Sequence, residues 1–254
     1  MTNPIVDLTQ RLIQRRQQYA PAFWGVKRLR HRGSLRYCPC CDSNLSRFRP
    51  FGLIPRPEAL CPVCGSLERH RLMYLYLQAK TDLFDGRHKR MLHVAPEPQL
   101  SRLFSRRPAI EYLSADLQNP AAMVKMDVTD IQYPDESFDV IYCSHVLEHV
   151  LDDVTAMAEF YRVLKPGGWA VLQVPITAER TLEDPAVTSP EERERMFGQW
   201  DHVRRYGPDY KERLVAAGFL VEVDDFVREL GDTKILHYGL MANEDVYICR
   251  KGRG

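Results

Sequence analysis

Residues 138–175, FDVIYCSHVLEHVLDDVTAMAEFYRVLKPGGWAVLQVP, switch between two hydrophobic periods, and that switch leaves few architectures open. Phe138 to Cys143 is a short run of apolar, β-branched and aromatic residues, the pattern of a strand buried on both faces. From Val146 the period becomes helical. Val146, Leu147, Val150, Val154, Met157, Phe160, Tyr161 and Leu164 form one stripe, while Asp152, Asp153 and Glu159 lie opposite. Lys165-Pro166-Gly167-Gly168 supplies a helix stop, with a cation at the helix C-terminus and glycines free to take positive φ. Trp169 to Val174 reads as a second buried strand. Strand, crossover helix and strand make a βαβ unit, so the sheet is expected to be parallel with a right-handed crossover.

A second pattern lies upstream. Cys38-x2-Cys41, nineteen residues and Cys61-x2-Cys64 form two knuckles, with Pro39, Pro62 and Gly65 as turn-forming residues. This spacing suits a tetrahedral zinc site of four thiolates. Four protein ligands leave the ion no open position, so its role would be structural, holding together a segment too small for its own core. A disulfide framework is the alternative, which a cytosolic chain would not keep oxidised. Cys40, inside the first knuckle, is a possible substitute ligand, but the Cys38/Cys41 register repeats that of Cys61/Cys64.

With 254 residues, 44% of them hydrophobic, the chain can bury a large domain and a small one. No apolar run is long enough to span a bilayer, and the N-terminal residues lack a signal-peptide core, so a cytoplasmic location is expected. The net charge of +1 conceals an asymmetry. Residues 1–110 hold 20 Lys/Arg against 7 Asp/Glu, whereas 111–254 hold 15 against 27. The halves are expected to attract each other; an anionic partner such as RNA, a phosphate or a nucleotide sugar is the alternative.

Three segments follow. Residues 1–36 form a helical and basic arm, with Ile5, Leu8, Leu12 and Ile13 at helical spacing and KRLRHR as a basic loop. A membrane-surface role for this arm is weighed against simple packing. Residues 37–82 hold the zinc module and a linking helix from Leu67 to Lys80, whose Arg69, His70 and Arg71 suit either a solvated face or an anion. Residues 83–254 are the catalytic domain, in which the polar stretch 177–207 follows a strand end and is expected to form a substrate lid.

FDVIYCSHVLEHV followed by RVLKPGGWAVLQVP resembles class I S-adenosylmethionine (SAM) dependent methyltransferases, particularly the group that includes ubiquinone-pathway O-methyltransferases. The resemblance covers roughly residues 88–250. It implies an α/β fold, Rossmann-like and doubly wound, with a mostly parallel seven-stranded sheet whose last strand, Asp245 to Cys249, is antiparallel. It implies SAM as cofactor. In the family the first strand, here Arg90 to Ala95, ends in an acid and a glycine-rich turn. This chain has HVAPEP instead, so His93, Ala95 and Glu97 take those cofactor-binding positions. Glu97 is a candidate for the cofactor's ammonium, with a purely structural turn as the alternative. Asp116, just past the second strand, corresponds to the ribose-binding acid. Asp127 and the Val128 backbone correspond to the adenine loop, and Ser144 closes the fourth strand beside the cofactor.

Methyl transfer needs an in-line nucleophile and often a base. His145, Glu148 and His149, at i, i+3 and i+4, are expected on one face of a helix at its first turn. A similar E-x-x-E-H arrangement holds a divalent cation in some relatives. Here His145 replaces the first Glu, which makes it a natural general base. His202, in the segment WDHVRRY, is the second candidate. The expected activity is methyl transfer to an oxygen or nitrogen of a small-molecule or glycan-linked acceptor. An RNA methyltransferase with a zinc module is one alternative, and an inactive SAM-binding or substrate-binding subunit is another.

Overall fold

The computed structural model describes residues 20–52 and 55–253. Two compact units emerge: Met1–Asp82 with Pro98–Leu103 and Phe226–Glu244, and Leu83–Glu97 with Phe104–Asp225 and Asp245–Gly254.

The first unit begins with helix α1 (Ala20–Arg30). Two antiparallel hairpins follow, β1 (Arg32–Cys38) with β2 (Ser43–Leu45), and β3 (Arg49–Phe51) with β4 (Arg56–Leu60). Helix α2 (Glu68–Lys80) comes next. The expected amphipathic residues Ile5, Leu8, Leu12 and Ile13 lie outside the described residues. The expected basic loop is corrected: Lys27 to Arg30 form the last turn of α1. Lys and Arg are good helix formers, and cations there complement the helix dipole.

The Arg69-His70-Arg71 run also differs from a solvated face. Arg71 is fully buried, with its guanidinium 3.8 Å from the Phe48 ring. It donates to the carbonyls of Ala59 (2.9 Å), Ser66 (3.0 Å), Glu58 (3.2 Å), Tyr238 (2.6 Å) and Gly239 (2.6 Å). A buried cation is tolerated when its donors are all engaged, and here they tie three segments of the chain to one side chain. His70 Nδ1 accepts from the Leu67 amide at 3.1 Å, closing the start of α2 in the manner of a capping box.

The second unit is built on β5 (Lys89–Val94), β6 (Ile110–Asp116), β7 (Val124–Lys125), β8 (Phe138–Ser144), β9 (Leu164–Gln173), β12 (Leu220–Asp224) and β13 (Val246–Arg250). Helix α3 (Pro98–Phe104), between β5 and β6 in the chain, falls in the first unit except for Phe104, whereas α4 (Asp153–Val163) runs between β8 and β9. The stretch from β9 to β12 adds a short antiparallel pair, β10 (Leu182–Glu183) with β11 (Arg204–Arg205), and helices α5 (Pro190–Phe197) and α6 (Tyr210–Ala216). Helices α7 (Phe226–Glu229) and α8 (Gly231–Tyr238) fall in the first unit.

The sheet order is β12-β13-β9-β8-β5-β6-β7. The pairs β9/β8, β8/β5, β5/β6 and β6/β7 are parallel, and β13 runs antiparallel to both its neighbours. This is the Rossmann-like, doubly wound α/β sheet of seven strands expected from the sequence. Phe138, Val140, Ile141, Tyr142 and Cys143 of β8 are all buried, which is why its run lacks polar alternation.

The continuous helix expected from Val146 to Leu164 is corrected. Leu147–His149 form a single 3-10 turn, Val150 is extended, and Asp152 caps α4 by accepting from the Thr155 amide at 2.9 Å. An Asp side chain that satisfies the backbone in this way starts a helix rather than continuing one. Val154, at 62% exposure, accordingly leaves the apolar stripe. After α4 the Lys165–Gly168 residues bulge out between the register pairs Phe138↔Leu164 and Val140↔Trp169. Gly167 takes φ +77°, and a Cβ on Gly168 would sit 2.8 Å from the Asp139 carbonyl oxygen.

Candidate active site and metal centre

The hairpin turn between β1 and β2 carries Cys38 and Cys41, and the turn after β4 carries Cys61 and Cys64. The four sulfur atoms lie within 4.8 Å of one another. Cys38 Sγ is 3.7 Å from Cys64 Sγ, and Cys41 Sγ is 3.8 Å from Cys61 Sγ. Four thiolates about 2.3 Å from a tetrahedral zinc ion stand about 3.8 Å apart, so the arrangement fits that ion. Cys40 is not one of these four; its thiol is 3.6 Å from the His70 carbonyl. Burial opposes ionisation of Cys38, but hydrogen bonds from Cys40, Cys41, Cys61 and Cys64 hold it well below its ordinary range. Hydrogen bonding to Cys38 in turn pushes Cys41 and Cys64 up. A bound cation is what would let all four thiols ionise together.

The other candidate residues gather where the parallel strands end. His93, on β5, has no exposed surface. Its Nδ1 is 3.0 Å from the Tyr112 hydroxyl and its Nε2 is 2.8 Å from Glu97 Oε2, with Phe104, Tyr112 and Tyr142 around the ring. The expectation that His93 itself meets a cofactor is corrected: it reaches the turn only through Glu97. Ala95 adopts φ +47°, a left-handed conformation more usual for glycine, so the turn after β5 bends without one. Asp116 ends β6, and its Oδ1 accepts from the amides of Gln118 and Asn119, both at 2.7 Å. Asp127 Oδ1 accepts from the Thr129 amide (2.9 Å) and hydroxyl (2.7 Å), which hold its carboxyl below the ordinary range. Val128 is buried.

Ser144 ends β8, buried, and His145 follows at φ +56° with its amide donating to Gln173 O at 2.8 Å. This strained residue lies outside the 3-10 turn, so His145, Glu148 and His149 do not share a helix face as expected. His145 Nδ1 is 3.3 Å from Glu148 Oε1, while its Nε2 and the Glu148 Oε2 have no hydrogen-bond partner. Glu148 is 1% exposed. Ligand atoms of Glu148, His149 and His202 lie within 4.8 Å of one another, the His149 and His202 rings meeting edge to face at 4.7 Å. His149 Nδ1 is 3.3 Å from Asp201 Oδ2. Burial lowers the His149 pKa, but Asp201 and Glu148 outweigh it and raise it, while Asp201 is held at about 2. Burial and the charge of His149 lower His202.

Two residues unremarked in the sequence hold this cluster. Arg204, 4% exposed, donates to the carbonyls of Leu147 (2.8 Å), Val150 and Leu151 (2.8 Å) and to Glu183 Oε2 (2.9 Å). Its β11 position thus clamps the turn that carries Glu148 and His149. Tyr206 donates to Asp153 Oδ2 at 2.5 Å beside it. The only hint in the sequence was the position of both residues in WDHVRRY, next to His202.

In comparison with known proteins, residues 97–172 match the family described as methyltransferase domain. More particularly, the chain is 38% identical over 64 residues to demethylmenaquinone methyltransferase of Mycobacterium sp. (strain KMS), covering 25% of this chain and 28% of that protein. The chain spans less than a third of the length of the curated relatives it matches. Among solved structures, a SAM-dependent methyltransferase from Archaeoglobus fulgidus aligns at 18% identity and TM-score 0.47, over 71% of this chain and 93% of that one. The [4+2]-cyclase SpnF aligns at 20% identity and TM-score 0.46, over 72% and 82%.

Proposed function

We propose that this chain is a SAM-dependent methyltransferase acting on an oxygen or nitrogen of a small-molecule or glycan-linked acceptor, with a structural zinc centre on Cys38, Cys41, Cys61 and Cys64. The observation that carries the reading is the convergence of Asp116, Asp127 and the Glu148/His149/His202 cluster, each at a strand end or in the loop that closes on it. Open parallel sheets bind ligands beyond the carboxyl ends of their strands. When bound, SAM supplies an electrophilic methyl group on a sulfonium. Asp116 keeps Oδ2 for the ribose hydroxyls because Oδ1 is occupied by its own turn. Asp127 serves adenine's amine in the same way. Glu97, backed by His93, meets the cofactor's ammonium.

An acceptor hydroxyl or amine that took this methyl group would lose its proton to a base on the protein. His145 is that base: Glu148 orients its Nδ1 side, and its buried Nε2 has no hydrogen-bond partner. A second reading rests on the ligand geometry of Glu148, His149 and His202, which suits a divalent cation that would polarise an acceptor hydroxyl. Calorimetry with SAM on the full chain tests the reading. Loss of either carboxylate, in Asp116→Asn or Asp127→Asn, is expected to weaken SAM by about 1 to 3 kcal/mol, or roughly 5- to 150-fold. Absence of SAM binding by the parent protein would remove the proposal.

A further inference from the structure

Helix α1 is exposed at every residue from Gly25 to Arg30. It is 11 residues long, and a helix of under about 12 to 15 residues is marginal in water without packing. One side is anchored. Arg28 donates to Ser43 Oγ (2.9 Å) and to the Cys41 carbonyl, and the Arg102 guanidinium lies 3.6 Å from the Trp24 ring. At 3.6 residues per turn, Val26 and Arg30 point about 160° away from Arg28, with Leu29 and Lys27 about 100° to either side. The outward face therefore carries two aliphatic side chains, 68% and 75% exposed, interleaved with two cations.

Three more exposed cations, Arg32, Arg47 and Arg49, lie beside the helix end. Arg49 Nη2 is 3.3 Å from His31 Nε2, and His31 is held below its ordinary pKa by burial and then by the charges of Arg49, Arg30, Lys27 and Arg47. None of these cations pairs with a carboxylate among the described residues.

We propose that the outward face of α1, with Val26, Leu29, Lys27, Arg30, Arg32, Arg47 and Arg49, docks on an anionic lipid surface. Charge complementarity selects an anionic partner, and the exposed aliphatics select a bilayer. A nucleic acid would be served by the cations alone, whereas an interfacial helix buries its apolar side chains at the acyl boundary while its cations meet the headgroups.

Sedimentation of the full chain with vesicles of phosphatidylcholine, with and without phosphatidylglycerol, tests it. Binding is expected only to the anionic vesicles and is expected to weaken as salt is raised. Arg30→Gln with Arg47→Gln should weaken it about 25-fold, at about fivefold per cation. Val26→Ser with Leu29→Ser should weaken it about tenfold or more. Because all four positions are exposed, unchanged circular dichroism is expected, and the salt dependence of the parent reads the charge contribution without any variant. Failure to bind anionic vesicles at low salt, or equal binding to both vesicles, would overturn the proposal. So would binding of a random single-stranded RNA that survives Val26→Ser/Leu29→Ser while vesicle binding is absent.

Discussion

His93 Nε2 lies 2.8 Å from Glu97 Oε2, a fully buried imidazole holding the one carboxylate of the turn after β5. The aromatic rings around His93 leave it no other route to the surface of that turn. His93→Leu keeps the apolar packing but strips Glu97 of this partner. It should cost about 1 to 3 kcal/mol, seen as an earlier urea midpoint, and should also weaken SAM in calorimetry. Loss of stability with unchanged SAM affinity would confine Glu97 to a structural turn.

The four-sulfur centre should yield one zinc per chain in protein never exposed to chelator, measured by elemental analysis. Cys61→Ser should lower the zinc content and loosen the first unit, read as faster proteolysis within 37–82, while SAM affinity changes little. Less than a tenth of an equivalent of zinc in the parent would exclude the centre.

Turnover should separate the two readings of the histidine cluster once an acceptor is in hand. As a general base, His145 contributes about 10²- to 10⁴-fold, so His145→Ala should slow methyl transfer by that order with SAM affinity intact. If a divalent cation is used instead, adding Mg²⁺ or Mn²⁺ should raise turnover several-fold, and His202→Ala should abolish that response.

Acid should loosen the segment that carries Arg204. Hydrogen bonds from Arg213, and then from Arg204, hold the Glu183 carboxyl below its ordinary value. A depressed folded-state pKa gives stability that is present above the unfolded value and lost as pH falls through the folded one. Glu183 is partly exposed, which tempers the effect. Amide protection at 182–183 and 204–205, corrected for the pH dependence of intrinsic exchange, should therefore fall as pH drops below about 4, and Glu183→Gln should show the low protection already at neutral pH. Protection that does not change with pH in the parent would leave the Arg204 clamp to its backbone carbonyls alone.

The βαβ unit and the paired cysteine knuckles were legible in the chain, because each is a local periodicity or spacing that survives without knowledge of distant neighbours, whereas Asp116 and Asp127 stood out only through the resemblance of the surrounding motifs to a known family. The break before α4 was missed, since the apolar stripe runs on through Val150 and Val154 and only the Asp152 cap interrupts it. Tertiary packing alone decided the rest. It brought His202 to Glu148 and His149 across more than fifty residues, and it buried Arg71 and Arg204 against backbone carbonyls where their charge suggested solvent. It also set Ala95 and His145 at positive φ and drew 226–244 into the first unit. These outcomes depend on which buried polar groups lack partners once the chain has collapsed, and no pattern within one segment carries that information.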